Sequence, residues 1–157
     1  MANYHQGYYK LQFPEKYVGD PNQVIYRSSW EKKMFVWCEK NPSVVKWGSE
    51  IAPIVYWSEV DGKQRRYFPD IWLIVKTRAG GEQKIIIEIK PYKETQPPAQ
   101  PKNKGPKAKA KYLNEVVTYQ RNQDKWNAAE AFAQKHGMTF MIMTEHDMFK
   151  KKNGKQR

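Results

Sequence analysis

Two dense runs of aliphatic and aromatic residues dominate the middle of the chain. Tyr67-Phe68-Pro69-Asp70-Ile71-Trp72-Leu73-Ile74-Val75 and Lys84-Ile85-Ile86-Ile87-Glu88-Ile89-Lys90 have the β-branched and aromatic content of strands. Ala79-Gly80-Gly81 between them predicts a hairpin turn. Ile85 to Ile89 is apolar on both faces, the pattern of a central strand buried on both sides. Upstream, Trp30, Met34, Phe35, Trp37 and Cys38 recur at helical spacing, which predicts a helix from Ser28 to Lys40 stopped by Asn41-Pro42. An extended region from Val44 to Val60 follows and turns at Asp61-Gly62. Beyond the hairpin, the pattern predicts a long helix from about Lys111 to His136, ended by Gly137, then a buried strand from Met138 to Thr144. Leu113, Val117, Ala128 and Ala131 fall on one side of that helix, and Tyr119, Trp126, Ala129 and Ala133 nearly opposite, so cover on both sides is expected.

Three segments carry no such pattern. Residues 1–24 are irregular and rich in Tyr, Gly and Pro. Residues 94–111 are built from Pro, Gln, Ala, Gly and Lys, the composition of a mobile loop, and residues 150–157 form a basic tail. No internal repeat is present, and 157 residues suit a single domain spanning 1–157. With 28 Lys+Arg against 16 Asp+Glu, the formal charge of +12 attracts nucleic acid or an anionic membrane surface before any specific contact forms. The membrane alternative is disfavoured: no apolar run is long enough to span a bilayer, and Met1-Ala2-Asn3-Tyr4-His5-Gln6 has neither a basic start nor an apolar signal core. A cytosolic protein without membrane contact is therefore expected. The single Cys38 lies within the aromatic helix pattern and reads as a buried structural thiol. Histidines at 5, 136 and 146 are too scattered for a zinc cluster.

The candidate chemistry sits on the hairpin. Side chains alternate along a strand, so Glu88 and Lys90 project to one side while Ile89 points to the other. Pro69 cannot donate a ladder hydrogen bond, which suits a strand end or bulge that re-aims Asp70 towards Glu88. Asp70 and Glu88, helped by the Ile89 carbonyl, then supply the hard oxygen ligands that Mg2+ prefers, and Lys90 lies beside a metal-bound water. That is the equipment of phosphodiester hydrolysis. Taken singly, Glu-x-Lys is a common solvated surface pair and Pro-Asp a common turn dipeptide. At the end of a buried strand, however, the charges need partners or a task. Glu31 is a candidate third acid, although Ser28 and Glu31 also match a capping box in which Glu31 returns to the Ser28 backbone N–H. Glu50 is its rival, placed at the start of another apolar stretch. Lys102, Lys104, Lys107, Lys109 and Lys111 follow the site directly and could close over a phosphate backbone, against the plainer reading that they confer solubility.

These residues carry a resemblance. Glu31, Tyr67-Phe68-Pro69-Asp70 and Glu88-Ile89-Lys90-Pro91 resemble the Glu…PD…(D/E)xK pattern of the PD-(D/E)xK nuclease superfamily, in the arrangement of TnsA-type transposon endonucleases. With Tyr26 to Glu31, Arg66 to Asp70, Glu88 to Tyr92, Asn122-Gln123 with Lys125-Trp126, and Thr144-Glu145, the chain also resembles the head completion nucleases of large contractile-tailed phages, over roughly residues 20–147. The resemblance implies an α/β, restriction-endonuclease-like core, a mixed central sheet flanked by helices, that cuts DNA with Mg2+ or Mn2+. It makes Asp70 and Glu88 metal ligands, Lys90 the residue that positions water, and Glu31 the additional acid, with Asn122 and Lys125 supporting the site. It further implies phage head and neck proteins as partners, and action in the host cytoplasm with incorporation into the virion. Two alternatives stay open: a non-catalytic, DNA-binding head or neck protein, and a transposon or repair nuclease of the same fold.

Overall fold

A computed structural model describes residues 6–149 of the chain, so the predicted basic tail at 150–157 and the first five residues lie outside it. Residues 6–24 are largely irregular. Short strands β1 (Gly7–Tyr8) and β2 (Ile25–Tyr26) pair with each other, and a single 3-10 turn covers Pro14–Lys16. This segment is pinned to the first helix, α1 (Ser29–Lys40), by the buried Glu39 carboxylate. Glu39 accepts hydrogen bonds from the Tyr9 hydroxyl at 2.7 Å and from the backbone N–H groups of Gln12 and Phe13 at 2.7 and 2.9 Å. The Lys16 ammonium in turn reaches the carbonyls of Cys38, Glu39 and Asn41 at 2.9 to 3.0 Å, which satisfies the orphan acceptors at the end of α1.

The strands that follow are β3 (Val44–Ser49), β4 (Ile54–Ser58), β5 (Lys63–Tyr67), β6 (Ile71–Lys76) and β7 (Glu82–Ile89), then helix α2 (Pro106–Lys135), strand β8 (Thr139–Met143) and the short helix α3 (Glu145–Met148). The central sheet runs β3-β6-β7-β8, antiparallel except for the parallel pair of β7 and β8. It is the expected mixed sheet. Strand β7 is central and apolar on both faces: Ile87 and Ile89 join Met34, Phe35, Cys38, Trp47 and Leu73 beneath α1, while Ile86 joins Tyr56, Tyr67, Trp126, Ala129 and Ala133 beneath α2. Cys38 is completely buried, and burial pushes its thiol up to about 12.

Four expectations need correction. The run from Tyr67 to Val75 is not one strand: it breaks at residues 68–70, and the part before the break belongs to a separate two-stranded ribbon, β4 with β5. Proline at 69 has no N–H to extend the ladder, so the chain leaves one sheet and enters another there. The extended region from Val44 to Val60 likewise divides between the central sheet and this ribbon. The segment 94–111 is not all loop, because a 3-10 turn covers Tyr92–Thr95 and α2 begins at Pro106. Pro106 has the fixed φ of a first helical residue, and Ala108 and Ala110 are strong helix formers, which outweighs the lack of apolar periodicity. Finally, α2 is covered on one side only. Trp126, Ala129 and Ala133 are buried, whereas Leu113 and Val117 are 62% and 38% exposed.

Candidate active site

Asp70 and Glu88 meet across the β6–β7 ladder. The register pairs Ile71 with Ile87, so one residue further along places Asp70 opposite Glu88, on the α2 side of the sheet with Ile86. The Ile89 backbone N–H donates to Asp70 Oδ2 at 2.7 Å. Glu88 is buried, and its Oε2 accepts a short hydrogen bond from the hydroxyl of the equally buried Tyr67. Lys90 Nζ stands 3.9 Å from Glu88 Oε1, and its backbone N–H donates to the Met143 carbonyl at 3.0 Å, tying the end of β7 to β8. From the other side, α2 brings the Lys125 ammonium to 5.7 Å from the centre of the Tyr67 ring, next to the buried Asn122. Sequence order hides this convergence, since residues 67, 70, 88, 90 and 125 come from three strands' ends and one helix.

The electrostatics follow from the burial. Desolvation first and the Glu88 charge second hold the Asp70 carboxyl well above the ordinary carboxylate range, although the Ile89 N–H and Lys90 oppose the shift. Burial also raises Glu88, against the pull of the Tyr67 hydroxyl, Lys90 and Lys125. Lys125 is pushed down by burial and by the neighbouring Lys90 charge. The lysines thus do not fully offset the cost of desolvating two carboxylates side by side, and an added divalent cation would relieve it. The oxygen-only donor set suits a hard cation.

Glu31 and Glu50 stand at the edge of this group. Ser28 Oγ caps α1 by accepting from the Glu31 N–H at 3.1 Å, but Glu31 Oε2 accepts from the backbone N–H of Arg27 at 2.9 Å, not from that of Ser28 as a capping box would have it. Burial raises Glu31, whose charge is felt by Asp70 and which itself feels Glu50 and Lys90. Glu50 carries a left-handed φ of +50°, donates its N–H to the Asp70 carbonyl at 3.2 Å, and pairs with Arg27 at 3.1 Å. No group of three or more His, Cys, Asp or Glu side chains is close enough to hold a metal among the described residues. Glu31 therefore lies within electrostatic reach of the acidic pair without joining it as a third ligand in this conformation.

Of the five lysines expected to clamp a phosphate backbone, Lys102 and Lys104 precede α2, and Lys107, Lys109 and Lys111 lie on its first turns, all exposed. Strand periodicity alone does not mark Tyr67 as a site residue. Its signal is a tyrosine three positions before an acid, on a strand: once buried, its hydroxyl needs a polar partner, and Glu88 is that partner.

A family model described as TnsA-like endonuclease N terminal matches residues 41–145, which include Asp70, Glu88, Lys90 and Lys125. This chain belongs to the TnsA-like endonuclease family. The head completion nuclease of Enterobacteria phage T4 is 50% identical over 130 residues, covering 83% of this chain and 84% of that protein. No solved structure matches the chain. As a TnsA-like endonuclease, the protein is a nuclease whose mixed sheet and flanking helices are those of a restriction-endonuclease-like core. Glu31 falls outside the span matched by the family model, whereas Glu50 falls inside it.

Proposed function

We propose that this TnsA-like endonuclease is a divalent-metal-dependent DNA nuclease that acts in completing a phage head. The observation that carries the reading is the convergence of the half-buried Asp70 and buried Glu88 carboxylates with the Lys90 ammonium. The assignment to head completion draws support from the extent of the identity to a relative of that name.

Asp70 and Glu88, with the Ile89 carbonyl, would hold Mg2+ or Mn2+, and Glu31 is preferred to Glu50 as the outer acid because its charge is the one felt at the Asp70 carboxyl. When bound, the cation polarises the phosphate and lowers the pKa of water. The protein's own groups do the rest. The Tyr67 hydroxyl and the Ile89 N–H lock one oxygen of each carboxylate, so the facing oxygens keep a fixed direction. Lys90, held at the end of β7, orients the attacking water, and its charge, with that of Lys125, offsets the negative charge gathering on the phosphate oxygens. Lys102, Lys104, Lys107, Lys109 and Lys111 contact the backbone of the same DNA without reading its sequence. Head and neck proteins are the expected partners, in the host cytoplasm where heads are finished and within the virion thereafter.

Supercoiled plasmid incubated with the full chain and Mg2+ or Mn2+ provides the test. Cleavage is expected with metal and not with EDTA, and Asp70→Ala and Lys90→Ala should each abolish it. Activity unchanged in both variants would sink the mechanism, and DNA binding by the parent protein without any cleavage would favour the non-catalytic head protein instead.

A further inference from the structure

The ribbon of β4 and β5 has two unlike faces. Ile54, Tyr56 and Tyr67 face inward against α2, whereas Val55 and Trp57 are 57% and 54% exposed. The antiparallel register sets Arg66 directly across from Val55 and Gln64 directly across from Trp57, so these four side chains share the outward face. Phe68, two residues past Arg66 and two before Asp70, is 43% exposed. An exposed tryptophan and an exposed phenylalanine with an arginine between them are costly to leave in water without a task. The ribbon is not loosely attached. The Glu59 N–H donates to Asp124 of α2 at 2.9 Å, and Asp61 at its tip binds both Arg65 and Arg121 of α2 at 3.0 and 3.5 Å.

We propose that the outward face of this ribbon, carried by Trp57, Arg66 and Phe68, is a stacking platform for an unpaired DNA strand leading into the active site. The inference rests on the nuclease reading and names its substrate as DNA with a single-stranded portion, such as a frayed or overhanging end. Flat aromatic faces stack on any base, and an interleaved guanidinium holds the phosphates or stacks in turn, so this chemistry binds single strands without sequence preference. Charge complementarity selects nucleic acid over a protein partner: Arg66 stands on this face, on a chain of net charge +12. Continuity selects the same DNA that is cut, because Phe68 stands two residues before Asp70, about 7 Å of chain at most. Five residues of β5 reach about 17 Å from the site, enough for about five nucleotides at duplex spacing.

Binding of the full chain in EDTA to a fluorescent hairpin duplex with a ten-nucleotide overhang, and to the same duplex with a blunt end, separates this from the catalytic reading. Trp57→Ala should weaken overhang binding by at least about fivefold and leave blunt-duplex binding within about twofold. Trp37→Ala, which removes a comparably exposed tryptophan on α1, should change neither. Equal losses on both duplexes, or no loss on the overhang, would overturn the platform, as would a matching effect of Trp37→Ala. Because no metal is present, selective loss with Trp57→Ala in a protein that never cuts plasmid would leave the platform standing while the nuclease mechanism fails.

Discussion

At the scale of single residues, the acidic pair sets activity against stability. Half-buried Asp70 and buried Glu88 lie side by side, and desolvation raises both carboxyls above their ordinary values. A group whose folded pKa is raised stabilises the fold fully below its unfolded pKa and loses that contribution as pH climbs through the folded value. Without metal, the stabilising contribution of Asp70 is therefore complete below about 3.8 and declines as pH rises through its raised folded value. Asp70→Asn keeps an oxygen to accept from the Ile89 N–H but carries no charge to bury. It should raise the stability of the metal-free protein at pH 8 by about 0.5–2 kcal/mol in urea melts, flatten the dependence on pH, and cut plasmid cleavage by at least about a hundredfold. A variant that loses stability at pH 8 would count against the buried-charge account. Tyr67→Phe removes one fixed hydrogen bond and retains the ring, so a smaller loss of about tenfold is expected, with more Mg2+ needed for half-maximal cleavage. The Glu88 and Lys90 alternation was legible in the sequence because strand periodicity is strict, and the turn of Asp70 towards Glu88 because Pro69 must break the ladder. The Tyr67 contact was not, because its strand belongs to a different sheet and meets Glu88 only through the break at Pro69.

Among the elements, α2 shows where pattern reading reaches its limit. A helix of 30 residues presents two apolar stripes, but the neighbouring elements decide which is buried. Strands β4 and β8 cover only the stripe that contains Trp126, Ala129 and Ala133, and every buried residue of the helix lies at or beyond Asn122. The first half of α2 therefore projects with Leu113 and Val117 exposed. Trp126→Ala should cost about 3–5 kcal/mol, as expected for emptying a packed aromatic site, whereas Leu113→Ala should stay within about 0.5 kcal/mol. Comparable costs at the two positions would mean that the projecting half is covered in solution. The start of the helix escaped the pattern for the same reason: with no core to face, residues 106–112 need no apolar periodicity, and only the Pro106 signal and alanine content mark them. In contrast, α1 was legible at both ends, since Ser28 caps it and Asn41-Pro42 stops it.

At the scale of the whole molecule, α2 carries charge from the active site outwards, since its Lys125 stands beside Tyr67. The active site opens beside α2, and the projecting half of that helix carries Lys107, Lys109 and Lys111 beyond it. DNA held in the site and passing along the helix would exchange condensed counterions for these ammonium groups. Each phosphate neutralised contributes about 0.9 to the slope of log affinity against log salt on duplex DNA. If all three lysines contact phosphates, replacing them together with glutamine should reduce that slope by about 2.7 and weaken binding uniformly across sequences. If they serve only solubility, the slope should be unchanged although the net charge falls, because a distant charge releases no counterion from the contact. The measurement is affinity for a blunt duplex at several salt concentrations, in EDTA, for the parent and the triple variant. The outcome bears on how cleavage is directed. A slope that falls makes α2 an arm that grips backbone at a fixed distance from Asp70, so the position of the cut would be set by where DNA can lie along the helix and not by its base sequence.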